Sequence, residues 1–110
     1  MSPLESARAS LAYVIADAGA ALRNEIEMLI SGGGSDRNIA KYTAEIRYAQ
    51  EIGGLLDGYV AGSEAAYSNA EGRARNAAQA SALAATINTL GLTRMRMDRD
   101  ERVAASRMAS

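Results

Sequence analysis

Carboxylates, glycines, tyrosines and arginines are the residues of this 110-residue chain whose types and spacing invite a chemical reading. Glu25 and Glu27 stand two apart and face different sides of a helix, and Glu45 and Glu51 are likewise no pair, so neither supplies an acid/base couple. The acidic run "DRDE", residues 98–101, lacks the glycine and the ligand spacing of a calcium loop and reads as charge on a helix. The run "GGGS" is followed by no Gly-Lys-Ser/Thr and preceded by no strand, so it is a turn and not a phosphate cradle. Histidine and cysteine are absent, which excludes Cys/His zinc sites, disulfides, imidazole catalysis and Ser/His or Cys nucleophile dyads. Tyr13, Tyr42, Tyr48, Tyr59 and Tyr67 are spread around the chain and are expected to complete a core in preference to stacking on bases. The chain is expected to be no enzyme and to need no cofactor or metal.

The arginines are the remaining candidates, and they are placed unevenly. Residues 1–71 carry five basic and ten acidic side chains, residues 72–110 seven arginines and three acids, so a net charge of −1 hides an acidic body and a basic end. Arg94, Arg96, Arg99, Arg102 and Arg107 form a partner-binding tail in this reading. One partner is the acidic body of a neighbouring protein subunit, met by planar guanidinium contacts. The other is nucleic-acid phosphate, against which the interspersed Asp98, Asp100 and Glu101 argue by repulsion. A solvated helix with its own ion pairs explains the same residues more plainly, as Asp98 and Arg102 stand four apart in the favourable order.

The elements that must carry these residues are helical throughout. Ser2, Pro3 and Glu5 form a capping box with proline at N1, and Leu11, Ile15, Ala18, Leu22, Ile26 and Leu29 make one stripe, predicting a helix over about 3–30. "SGGGS", residues 31–35, stops it, and Ser35 or Asp36 caps the next start. A second helix over about 36–62 carries Ile39, Tyr42, Ile46, Ala49, Gly53, Leu56 and Val60 at alternating steps of three and four, the seam of an antiparallel hairpin. Ser68 and Glu71 offer a fresh capping box for an Ala-rich helix over about 69–90, striped by Ala80, Leu83, Ile87 and Leu90 and stopped at Gly91; whether it continues the second helix is open. A charged tail, 93–110, can form a short further helix. The fold class is therefore all-α, a single domain of antiparallel hairpin, third Ala-rich helix and short charged C-terminal helix, in a bundle or an oligomeric assembly.

Composition says how such a fold is held. Phe and Trp are absent and alanine supplies much of the apolar content, so the core is expected to be thin and to borrow surface from a partner. Gly53, Gly54, Gly58 and Gly62 interrupt the second helix at about 1 kcal/mol each relative to alanine. Gly54, Gly58, Gly62, Ala66 and Ala70 follow one another at steps of four, a bare ridge on which another helix can lie closely, and that contact is what would offset the glycines. The ridge is expected to be a helix-packing interface.

"YSNAE", Tyr67 to Glu71, resembles the Tyr-x-x-x-Asp/Glu signal that follows the helical hairpin of small type VII secreted proteins; the family's Trp-x-Gly turn is missing, with "SGGG" in its place. Such a resemblance implies a small secreted or regulatory hairpin that binds one protein partner. The Ala/Gln/Asn/Arg-rich style of residues 64–108 is similar in composition to small internal or connector proteins of tailed bacteriophages. The amino terminus lacks the basic and apolar regions of a signal peptide. Asn76 to Thr93, uncharged but rich in Ala, Thr, Asn and Gln, suits a buried bundle helix better than a membrane span. The expectation is a structural subunit with protein partners, a homo-oligomer or part of a larger assembly, in a virion or cytoplasmic setting, with a secreted hairpin and a nucleic-acid binder as alternatives.

Overall fold

The computed structural model describes the backbone of residues 2–109 and, beyond Leu92, the side chains of Met95 and Glu101 alone. Three helices, α1 (Pro3–Ile30), α2 (Asp36–Glu64) and α3 (Ala70–Ala109), hold 88% of the chain, with no strand among the described residues.

Each boundary has a local cause. Ser2 Oγ accepts the Glu5 N–H at 3.1 Å and Pro3 occupies the first helical position, where a missing N–H loses nothing. At the other end of α1, Gly32 takes φ +92°, and the Gly33 and Gly32 N–H groups donate to Met28 O at 2.8 Å and Leu29 O at 3.0 Å. These paired bonds satisfy the last carbonyls of α1 and turn the chain back. Ser35 Oγ then accepts the Asn38 N–H at 3.3 Å and opens α2.

Glu25 ties the two ends of this turn together. Its carboxylate is buried, and Oε1 accepts the Ser35 N–H at 2.8 Å and an Asn38 Nδ2 hydrogen at 3.4 Å. Removing the acceptor leaves a part-buried N–H without its partner. Glu25→Ala is expected to destabilise the chain by about 1–3 kcal/mol, and Glu25→Gln, which keeps an acceptor oxygen, by less. Urea denaturation of the two variants against the parent checks this ordering.

α2 leaves helical geometry at Ala65 (φ −68°, ψ 121°), so the chain between α2 and α3 is a turn and not a continuation. Asn69, not Ser68, caps α3: Asn69 Oδ1 accepts the Gly72 N–H at 2.6 Å, and the Ser68 carbonyl instead accepts from the Arg73 guanidinium. Ser and Asn are equally good caps, and the turn presents the second of the two. Within α3, Gly91 breaks helicity (φ 73°, ψ 161°) and the helix resumes beyond it. A left-handed glycine here divides α3 into an Ala-rich limb and the charged limb that carries the arginines.

The hairpin of α1 and α2 is antiparallel. Arg8 Nη2 reaches Asp57 Oδ1 at 3.1 Å across its open end, and Glu25 meets Ser35 at its closed end. Both members of the Arg8–Asp57 pair are about half or more exposed, so it marks register more than it stabilises. α3 packs on the open end: Asn88 Nδ2 donates to Pro3 O at 2.9 Å, and Ala7, Leu11, Ala49, Leu56, Ala80, Ala84, Ile87 and Leu92 make one core cluster. Leu56 and Ile87 are the large side chains fully buried among the described residues. Toward the closed end the inward stripe of α1 runs out of cover. Ile26 and Leu29, expected inside, are 41% and 43% exposed, as is Leu90 of α3 at 46%. Periodicity chose the correct face, but among the described residues the core cluster draws on Ala7 and Leu11 of α1 and on Ala49 and Leu56 of α2, away from Ile26 and Leu29.

Candidate functional site

The glycines of α2 do not share one environment. Gly53 faces the hairpin, where an added Cβ would touch Leu11 Cδ1 at an ordinary 3.8 Å. Gly62 faces α3: a Cβ there would lie 2.6 Å from Asn76 Nδ2, a side chain held by its own bond to Gly72 O at 3.0 Å. Gly62 is thus the one member of the expected ridge that meets another helix of the same chain. Gly54 and Gly58 are exposed, and a Cβ on either would meet nothing within 4 Å.

Ala66 and Ala70 do not extend the ridge. Residues four apart share a face only while the helix is unbroken; Ala66 lies in the turn after α2, and Ala70 is the first residue of α3. The structure therefore separates the five expected residues: Gly62 packs inside the chain, Gly54 and Gly58 point outward from α2, and Ala66 and Ala70 belong to the next turn and helix.

What α2 does present outward is longer than a ridge at steps of four. Ala40, Ala44, Arg47, Glu51, Gly54, Gly58 and Ala61 are all exposed, and they recur at alternating steps of four and three along one continuous helix. At 100° per residue they lie opposite Ala49 and Leu56, the buried anchors of α2. This helix has two seams, one apolar and closed on α1 and α3, the other small, open and marked at its middle by one cation and one anion. The sequence signal for the second seam was the same alternation that revealed the first; large residues make an inward seam conspicuous, and alanine and glycine hide an outward one. Part of this face forms a shallow hollow of about 410 Å³ lined by Ala40, Thr43, Ala44, Arg47, Tyr48 and Glu51.

A second concave surface is a groove of about 330 Å³ between the start of α1 and α3, lined by Ser2, Pro3, Leu4, Ala80, Ser81, Ala84 and Ala85. Its walls are mostly apolar, with Ser2 and Ser81 among them, and carry no charged side chain. Tyr48 is buried, Tyr42 and Tyr59 are half-buried, and Tyr13 and Tyr67 are exposed, so two of the five tyrosines take no part in the core. Tyr67 stands in the α2–α3 turn with Glu71 in the first turn of α3. The tail residues Arg94, Arg96, Arg99, Arg102 and Arg107 fall outside the described side chains. Among the described residues no three metal-ligating side chains gather, and no helix is long and apolar enough to cross a membrane.

Comparison of the chain with protein-family models, with curated proteins and with solved structures gave no match.

Proposed function

We propose that the chain is a non-enzymatic structural subunit that associates with copies of itself, or docks on a larger complex, through small-residue helix faces. One observation carries this reading: Gly54 and Gly58 sit inside a 29-residue helix, each at about 1 kcal/mol relative to alanine, and neither touches anything that alanine would displace. Nothing described in this chain compensates for them, and a closely packed neighbouring helix would. The small core and the exposed Ile26, Leu29 and Ile30 point the same way, since a partner would cover what α3 leaves open.

The Arg94–Arg107 segment is proposed as a second contact, basic against the acidic body of a neighbour, with Gly91 setting its direction. A virion is the setting attached to this reading, on the alanine- and arginine-rich composition of residues 64–108. Light scattering coupled to size exclusion, run across a hundredfold concentration range, tests the core of the proposal. The expected result is a mass that rises with concentration above that of the 11.5 kDa chain; a cooperatively folded monomer at every concentration would overturn it.

A further inference from the structure

From the outward seam of α2 we infer the partner and the register: α2 lies antiparallel against α2 of a second copy, with Arg47 of each chain opposite Glu51 of the other. This rests on the assembly reading and makes it specific. The seam is close to self-complementary under a twofold axis. Reversing its stretch from Ala40 to Gly58 about Ala49 sets Ala40 opposite Gly58, Ala44 opposite Gly54 and Arg47 opposite Glu51, so the four small residues of that stretch meet small residues and the Arg–Glu pair forms twice; Ala61 lies beyond the matched stretch. Steps of four and three keep these layers aligned along the seam, a span of about 27 Å from Ala40 to Gly58.

A parallel pairing of the same face would set Arg47 against Arg47 and Glu51 against Glu51, and like charges in the middle of a close contact oppose it. Alanine and glycine on both sides allow the axes to approach to about 8 Å, the lower end of helix packing distances. At that separation the Arg47 stem lies along the facing helix and its guanidinium reaches the carboxylate across the seam. Glu51 also interacts within its own chain. A carboxylate accepts at about four lone-pair sites, so a guanidinium from outside adds to that contact without displacing it.

Charge reversal with mixing tests the register. Arg47→Glu places four acids at the middle of the pair and Glu51→Arg four bases, and each is expected to raise the dissociation constant by about tenfold or more. An equimolar mixture of the two restores opposite charges at both positions, and sedimentation equilibrium is expected to show hetero-pairs about as tight as the parent. Both residues are exposed on a helix surface, and far-UV circular dichroism checks that each variant is folded. Arg47→Ala and Glu51→Ala provide a second reading: each loosens association, and an equimolar mixture recovers part of it, because its hetero-pair sets Arg47 opposite Glu51 in one central layer and alanine opposite alanine in the other. A parent that associates while both reversals associate equally well, or while the mixture is no tighter than its components, overturns the register and leaves the assembly reading standing. A parent that never associates removes both.

Discussion

Gly34→Ala destabilises the folded chain by about 2–4 kcal/mol. The new methyl would stand 2.6 Å from Leu29 Cα and 2.7 Å from Glu25 O, with Leu29 N also inside van der Waals contact. All three are backbone atoms of α1, so no rotamer change relieves them. The neighbouring Gly33→Ala is the control. Its Cβ would lie 3.8 Å from Met28 O, an ordinary contact, and the change stays within about 0.5 kcal/mol. Denaturant midpoints of the two variants, measured side by side, separate a turn that needs glycine for close approach from one that merely tolerates it. Equal midpoints would mean that the turn does not press on α1 as described.

Gly54→Gln combined with Gly58→Gln acts in opposite directions on the two levels of structure. Within one chain the added side chains enter open space and replace a poor helix former with a good one, a gain of about 0.5 kcal/mol each. Between chains, four long side chains now stand where backbones would approach, and association is expected to weaken by about a hundredfold or to disappear. A variant that melts higher and assembles worse is the signature of glycines kept for contact. Destabilisation of the monomer would mean that these positions carry a constraint inside the fold, and the argument from their uncompensated cost would fail.

How far such features can be read in advance depends on whether their cause is local. Ser2, Pro3 and Glu5 announce the start of α1 because capping is settled within four residues, and three glycines announce its end. Which glycine does what is not local. Gly32 supplies the positive φ and Gly34 the close approach, and the second follows from where α1 lies beneath the turn. Glu25 was legible as an unpaired acid; its burial under Ser35 and Asn38 arises from folding the hairpin across ten residues of chain. Asn69 displaced Ser68 as the cap of α3 because both residues suit the role, and the turn geometry alone decides between them.

The site divides in the same way. Periodicity identified Ala49 and Leu56 as inward residues of α2, and both are buried. The bare ridge cannot run past Gly62 on one face, because the next step of four crosses Ala65, where the helix ends, and Gly62 itself turns toward Asn76. The outward seam from Ala40 to Ala61 was present in the same letters. Alanine and glycine conceal it, because no large residue marks an outward face and the continuous helix lies on the amino-terminal side of the glycines.

The most direct test of the central claim, that Gly54 and Gly58 hold a place for a neighbouring helix, is sedimentation equilibrium of the parent beside the Gly54→Gln, Gly58→Gln double variant. The account predicts a parent that associates and a variant that stays folded and monomeric across the concentrations at which the parent does not. A variant that matches the parent's mass at every concentration would contradict it.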